Sequence, residues 1–471
     1  MIALTIGEIA ALSGGDIADP TDDALVVPGP VVVDSRRAVP GCLFVAVPGE
    51  RVDGLDFAMQ ARAAGAVAVL ATKPIDSPCV VVDDTVLALG RLAHGYLDRL
   101  ATDAPIVVGI TGSSGKTTTK DIIGQVLAER GATVAPEGSF NTEIGLPLTV
   151  LRTEVDTRYL VLEFSARGVD HIAYLATLAR PHIGVVLNVG AAHLGEFGSR
   201  AIVAQAKGEL VEALPDDGVA VLNADDELVA AMQTRTGARV VTFGVSAHAD
   251  IRATDIRLDE MARPTFRLIT AAGEVEVALA LHGAHHVSNA LAAAAVALEV
   301  GFDLAALAGA LSRVSAVSRW RMQIDERADG LVVINDAYNA NPDSMRAALS
   351  ALVEIGQSRP GAGRRTFAVL GVMAELGEHS LSAHHEVGAA VAHLGVDRLV
   401  VVGTAASALV DGAVDAGLDP SCVTVVENID AAIRVLATEL ASVDVLLVKA
   451  SRSANLQRVA EALLEIAPAA R

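Results

Sequence analysis

Aromatic residues are scarce: Phe, Tyr and Trp make up 3% of the 471 residues, with a single Trp. Cores therefore have to be built from Ala, Val, Leu and Ile. Cysteine is equally sparse. Cys42, Cys79 and Cys422 are far apart, odd in number and without metal or redox spacing. Reduced, buried thiols in a cytosolic protein are the expectation. Positive charge is in deficit, with 36 Lys and Arg against 57 Asp and Glu, a formal charge of −21. That argues against a nucleic-acid partner or an anionic-membrane surface. Long apolar runs are missing too, because Gly, Asp and Pro interrupt them. The opening Met-Ile-Ala-Leu-Thr-Ile-Gly-Glu has neither a basic n-region nor an extended apolar h-region. No membrane insertion and a cytoplasmic location are expected. No fixed-period repeat or low-complexity tract is present.

What the chain does have is apolar mass. Hydrophobic residues are 52% and charged residues 20%, enough to bury large cores, and the length suits about three domains. One stretch organises the rest: Pro105-Ile-Val-Val-Gly-Ile-Thr-Gly-Ser-Ser-Gly-Lys-Thr-Thr-Thr-Lys120. Ile106 to Ile110 reads as a buried strand, Gly112 to Gly115 as a glycine turn, and Lys116 to Arg130 as a helix stopped by Gly131. Strand, glycine turn and helix N-terminus together hold a phosphate chain, because backbone N–H groups converge and the helix dipole adds positive charge. The spacing G-x-x-x-x-G-K-[ST] is imperfect, since Ile110 stands where Gly is usual, between Gly109 and Gly112. The turn nevertheless closes a strand and opens a helix. Gly112, Ser113, Ser114, Gly115 and Thr118 would cradle phosphates, Lys116 would reach the β- and γ-phosphates, and the Thr117 hydroxyl would ligate Mg²⁺. An ATP-dependent enzyme is the working expectation, with local cations and Mg²⁺ holding the nucleotide.

Around this stretch the chain alternates strand and helix signals. Thr5-Ile-Gly-Glu8 fits a capping box. Val31 to Val33 ends in the polar turn Asp34-Ser35-Arg36-Arg37, which suits an anion, a ribose or simply a turn. Tyr159 to Phe164 is an apolar strand interrupted by Glu163, and a carboxylate at a strand's C-terminal end is a natural second Mg²⁺ ligand. His182 to Leu187 leads to Asn188 and on to His193, a metal ligand or a phosphate contact. Ala204 to Leu214 is a helix whose Lys207 reads as solvated. Arg252 to Leu281 reads as a β-hairpin insert. His282, His285 and His286 have metal-like spacing but no nearby carboxylate or cysteine, which favours a non-metal role. An Ala-rich helix follows to Val300. Leu331 to Ile334 is a strand, and Asp343-Ser344 caps the helix after it. Strands at Phe367–Leu370, Leu399–Val402, Val423–Val426 and Val445–Val448 alternate with helices, the pattern of a parallel sheet.

The phosphate loop, Glu163, the Ala206-Lys-Gly-Glu-Leu210 run, the histidine–asparagine segment and Asp336-Ala-Tyr-Asn-Ala-Asn-Pro342 together resemble the Mur ligase family, the ATP-dependent amide-forming enzymes that build the peptidoglycan peptide. Asp34-Ser-Arg36, Pro40-Gly-Cys-Leu-Phe-Val-Ala46 and Gly49 to Gly54 are similar to the family's uridine-diphosphate domain. The resemblance implies an α/β chain of three domains: 1–103 binding the UDP substrate, 104–314 a central P-loop domain with a parallel sheet, and 315–471 a Rossmann-like domain that closes over ATP and binds the amine. Asp336 to Pro342 points within the family to joining D-alanyl-D-alanine onto UDP-N-acetylmuramoyl-tripeptide through an acyl phosphate.

By the same resemblance, Lys116 neutralises the phosphates and Thr117, Glu163 and His193 serve Mg²⁺. Lys207 matches a lysine whose carbamate helps ligate metal. Asn289, Arg321 and Asp336, with Tyr338 and Asn339 in the same run, contact the nucleotide. Asp34, Ser35 and Arg36 hold the UDP group, and Asn141, Lys449, Ser451 and Arg452 lie on the substrate side. A monomer is implied. The sequence departs from the family's usual wording at Glu163-Phe-Ser-Ala-Arg167, Val372, Asp53-Gly-Leu-Asp56 and Lys449-Ala-Ser-Arg452. Two other readings compete. A sister ligase for another amino acid, or a folylpolyglutamate-synthase-like enzyme, is disfavoured by Asn339-Ala-Asn-Pro342. A non-catalytic nucleotide-binding homologue is disfavoured by the intact Lys116, Thr117, Glu163 and Lys207.

Overall fold

The apolar run before the glycine turn is a strand, Ile106–Thr111, set inside a nine-stranded sheet. A computed structural model describes residues 1–49, 52–100, 104–136, 138–190, 194–358 and 364–466. Tyr159–Glu163 and Ile183–Val186 flank the strand on either side, both parallel to it. Strands covered on both faces are apolar almost throughout, and among these three the only charged residue is Glu163, at a C-terminal end. Glu163 pairs in register with Ile110. The carboxylate therefore stands level with the start of the glycine turn. The phosphate-loop helix, Lys116–Ala128, packs on one face against the helix His286–Glu299. The latter buries Ala290, Ala292 to Ala295 and Ala297, so two helices come close without an aromatic residue between them.

On the opposite face lie Gly145–Val150, His171–Ala179 and Arg200–Glu212, in one hydrophobic cluster with the N-terminal helix Thr85–Arg99. Tyr96 ties this junction. Its hydroxyl accepts from the Ile2 amide at 2.8 Å and donates to the Thr153 carbonyl at 2.6 Å. The N-terminal segment has its own five-stranded sheet, in which Val31–Val32, Leu43–Val45, Ala68–Ala71 and Cys79–Val81 run parallel and Asp16–Ile17 pairs antiparallel at one edge. The capping box at Thr5 and Glu8 opens the helix Ile6–Ser13 as the sequence indicates.

The C-terminal segment forms a six-stranded sheet ordered Gln323–Glu326, Val332–Asn335, Val445–Lys449, Thr366–Leu370, Arg398–Val402 and Val423–Val426. All neighbours are parallel except the first pair. The mixed polar strand Gln323–Glu326 escaped the sequence reading because it is a half-exposed edge without alternation.

Three expectations are corrected. The segment Arg252 to Leu281 does form antiparallel hairpins, but they extend the central sheet and are no insert apart from it. Ile251–Leu258 pairs parallel with Arg239–Gly244, and Pro264–Thr270 and Gly273–Ala278 extend the same sheet antiparallel. The helix Pro342–Gln357 is capped by Asn341, not by Asp343-Ser344. The Asn341 side chain accepts from the Ser344 amide at 2.8 Å, and Pro342 fills the first turn, where no N–H is needed. Lys207 is not solvated. Its helix turns it inward, leaving 5% of the residue exposed.

The helix that carries Lys207 also carries Glu209, whose carboxylate accepts the backbone N–H groups of Asp170 at 2.7 Å and Ala173 at 2.9 Å. It thus caps the helix His171–Ala179, which has no cap of its own. Glu209→Ala leaves two helix-end donors without this acceptor and is expected to destabilise the fold by about 1–2 kcal/mol, read as a lowered denaturant midpoint with an unchanged far-UV spectrum.

Candidate active site

A cavity of about 430 Å³ lies where the phosphate loop, the C-terminal ends of the central strands and the start of the C-terminal sheet converge. Gly115 has φ +82°, and a Cβ there would sit 2.7 Å from Asn289 Oδ1. Glycine is thus required both by conformation and by the approach of the Ala-rich helix. The loop's donors are already aimed. The amides of Ser113 and Ser114 each lie 2.9 Å from Asn188 Oδ1, a partial negative charge in the place a phosphate oxygen would take. Lys116 Nζ donates to the Gly112 carbonyl at 2.5 Å. Thr117 Oγ1 is 2.9 Å from Ser139 Oγ, which accepts from the Arg321 guanidinium at 2.8 Å. Arg321 stacks on the Tyr338 ring at 4.1 Å, and its Nε is buried without a hydrogen-bond partner among the described residues.

Glu163 is 1% exposed. Oε2 accepts from Asn141 Nδ2 at 3.2 Å, whereas Oε1 is buried with no partner among the described residues. An orphaned carboxylate oxygen beside a phosphate-loop hydroxyl is a donor set suited to a hard divalent cation. Burial lowers the pKa of the Lys116 ammonium, as does Arg321, while the Glu163 charge opposes this. Lys207 has its pKa lowered well below the usual lysine value by burial and by the neighbouring Lys116 charge. Its amine has no hydrogen bond or ion pair among the described residues, and the shift is toward the neutral form. A neutral amine is the form that reacts with carbon dioxide.

Most of the residues singled out from sequence line this cavity: Ser113 to Thr118, Asn141, Glu163, Asn289, Arg321, Asp336, Tyr338, Asn339 and Lys449. Gly112 and Lys207 are not among its lining residues. Lys449 is 2% exposed and holds Asp336 Oδ2 at 2.5 Å and the Asn339 carbonyl at 3.0 Å. Ser451 is buried beside the cavity, its hydroxyl accepting from the Ala374 amide at 2.9 Å. Arg452 stacks on Trp320 at 4.2 Å. Asp34, Ser35 and Arg36 stand apart from the cavity. Arg36 pairs with Asp34 at 2.7 Å, and Ser35 Oγ donates to Gln60 Oε1 at 3.1 Å. His193 lies outside the described residues.

Sequence reasoning missed Asn188, Ser139, Arg167, His285 and Glu375, all of which line the cavity. Asn188 had a usable signal, a polar residue directly after a buried strand. Burial pushes the His285 pKa down to about 4, Asp336 opposing and Lys449 reinforcing it, and His286 lies well below its usual value for the same main reason. The central and C-terminal segments touch here. The Gly195 amide donates to the Glu375 carbonyl at 3.3 Å, and a Cβ on Gly195 would collide with the Gly377 backbone.

Residues 110–297 match the Mur ligase middle domain, 320–452 the Mur ligase, glutamate ligase domain, and 30–95 the Mur ligase family, catalytic domain. The chain is 48% identical, over 98% of both chains, to the UDP-N-acetylmuramoyl-tripeptide--D-alanyl-D-alanine ligase of Mycobacterium tuberculosis (strain ATCC 25618 / H37Rv). The chain belongs to the Mur ligase family. Two solved Mur ligases are similar over their full length. MurF from Acinetobacter baumannii gives a TM-score of 0.87 at 31% identity, covering 98% of this chain and 99% of that one. The MurF ligase from Thermotoga maritima in complex with ADP gives 0.79 at 30%, covering 93% and 97%. No helix among the described residues is long and apolar enough to cross a membrane.

A neutral buried histidine makes folding sensitive to acid. With a folded pKa of about 4 for His285 against an unfolded value near 6.5, the unfolded chain binds more protons between those limits. Stability from this group is present above about pH 6.5 and is lost as pH falls toward 4. His285→Gln is expected to remove about one proton from the slope of unfolding free energy against pH in that window, measured by denaturant titrations at several pH values.

Proposed function

We propose that this Mur ligase joins D-alanyl-D-alanine to UDP-N-acetylmuramoyl-tripeptide, with ATP cleaved to ADP and phosphate. The observation that carries the reading is Glu163. Its buried oxygen, without a partner among the described residues, lies level with the start of the loop that carries the partly buried Lys116. The 48% identity to a ligase of that printed activity, over 98% of both chains, supports the substrates. The similarity to a MurF ligase in complex with ADP supports the nucleotide.

The chemistry follows from what the groups can do. The terminal carboxylate of the tripeptide attacks the γ-phosphorus, ADP departs, and an acyl phosphate forms. This replaces hydroxide, a poor leaving group, with phosphate. The amine of D-alanyl-D-alanine adds to the acyl carbon, the tetrahedral centre collapses, and phosphate leaves with formation of the amide. Lys116 and the loop amides of Ser113 and Ser114 stabilise charge on the phosphates, and Asn188 Oδ1 gives up the loop amides as they bind. Arg321, held between Ser139 and Tyr338, faces the transferring group. Thr117 and Glu163 would hold Mg²⁺, which would neutralise charge on the phosphates. His193 is assigned to a second Mg²⁺. Lys207 is assigned as a carbamate, which converts a destabilised buried amine into an anion facing Lys116. Asn289, Asp336 and Asn339 are assigned to the nucleoside, Asn141 and Lys449 to the reacting peptide ends, and Asp34 to Arg36 to the uridine diphosphate. Ser451 and Arg452 support the amine side from behind the wall. Closure of the C-terminal segment over the nucleotide excludes water from the acyl phosphate.

Phosphate release from ATP and Mg²⁺ is expected to require both UDP-N-acetylmuramoyl-tripeptide and D-alanyl-D-alanine, with the pentapeptide product identified by mass. Release with a single amino acid and a shorter UDP-peptide instead reassigns the enzyme to a sister ligase. Lys207→Ala is expected to lower kcat by about 10²–10³-fold, with partial recovery on adding short-chain carboxylic acids. An inactive variant that no carboxylate restores counts against the carbamate.

A further inference from the structure

Four lysine and arginine side chains line the cavity, and three are engaged by the protein. Lys449 pairs with Asp336, Lys116 donates to Gly112, and Arg321 donates to Ser139 while stacking on Tyr338. The fourth is Arg167. It is exposed at the rim, and its guanidinium has no hydrogen bond, ion pair or ring contact among the described residues.

The loop that presents it is held at several points. The Ser165 amide donates to the Asn141 carbonyl at 3.1 Å, and the Arg167 amide donates to His171 Nδ1 at 3.2 Å. Asp170, at φ +71°, is gripped by Glu209. Arg167 is four residues beyond Glu163, so its Cα lies within about 14 Å of that carboxylate's Cα. It stands on the central-segment wall, with Glu163 and Asn141. The facing wall, with Asn339 and Lys449, comes from the C-terminal segment. In the ligase reading the acyl donor's reacting carboxylate meets the phosphate on the Glu163 side. Arg167 therefore faces the acyl donor rather than the amine. A free guanidinium fork in a chain of net charge −21 offers two parallel donors that match a carboxylate and repel an ammonium.

We propose that Arg167 is a specificity residue that pairs with a side-chain carboxylate on the terminal residue of the acyl donor. A UDP-N-acetylmuramoyl-tripeptide ending in meso-diaminopimelate is then used in preference to one ending in L-lysine, whose side chain presents only an ammonium. This rests on the ligase reading, and the test keeps the two apart by measuring binding as well as turnover.

The full-length protein and its Arg167→Ala and Arg167→Lys variants are compared with both tripeptides, by kcat/KM and by calorimetric binding of each peptide. Arg167→Ala is expected to weaken binding and kcat/KM for the diaminopimelate peptide by about tenfold or more. The lysine peptide and the KM values for ATP and D-alanyl-D-alanine are expected to stay within about twofold. Arg167→Lys, which keeps the charge but not the fork, is expected to fall between. Unchanged use of the diaminopimelate peptide, equal loss on both peptides, or a loss confined to D-alanyl-D-alanine overturns the proposal. Wild-type protein that binds the diaminopimelate peptide through Arg167 without turning it over contradicts the ligase reading and leaves the assignment of Arg167 standing. Failure to bind either peptide overturns both.

Discussion

The site depends on positive charge kept away from water. Lys207 is buried and Lys116 is partly buried; burial lowers the pKa of both amines, and the Lys116 charge lowers that of Lys207 further. One buried carboxylate, Glu163, acts on Lys116 and has an oxygen that no group among the described residues satisfies. Isolated buried charges are costly, and the cost is offset only when a complementary charge arrives. The cleft is thus an incomplete electrostatic arrangement that anionic phosphates and a divalent cation would complete. That incompleteness is a better guide to chemistry than cavity size, because it states which charges are missing.

The fold produces this arrangement through one rule of parallel sheets. Ligand groups gather beyond the C-terminal ends of the strands. Ile106–Thr111 delivers the glycine turn, Tyr159–Glu163 the carboxylate, and Ile183–Val186 the segment carrying Asn188. The C-terminal sheet contributes by the same rule, since Val332–Asn335 leads into Asp336 and Val445–Lys449 ends on the lysine that holds it. Two sheets thus present their C-terminal edges to a shared space. Trp320 and Met322, both at positive φ (58° and 48°), flank Arg321 in the connection between the sheets. This backbone departure places the guanidinium on the Tyr338 ring and within reach of Ser139.

Much of this was legible in the residues, and the gaps have physical causes. The phosphate loop, the parallel strands and the Thr5 capping box depend on local pattern, which sequence carries directly. The mistaken cap at Asp343-Ser344 arose because several polar residues in a row all suit a cap, and only geometry selects Asn341. The strands between Arg252 and Leu281 were recognised, but their pairing with Arg239–Gly244 is long-range and leaves no local mark. Lys207 is the sharpest case. Helical lysines are ordinarily solvated, and no local signal shows that this one points inward. Only resemblance to a family gave it a role before burial did. Arg167 was visible merely as a departure from the family's usual wording, and its meaning came from finding it on the cavity rim without a partner among the described residues.

The account's central claim is that the tripeptide carboxylate is activated by direct attack on the γ-phosphorus beside Lys116 and Glu163. Turnover with a UDP-N-acetylmuramoyl-tripeptide whose terminal carboxylate carries oxygen-18 tests it most directly, by mass analysis of the phosphate released. An acyl phosphate sends one labelled carboxylate oxygen into that phosphate and leaves the other in the new amide. Phosphate that emerges without label, while pentapeptide is formed, would contradict the account.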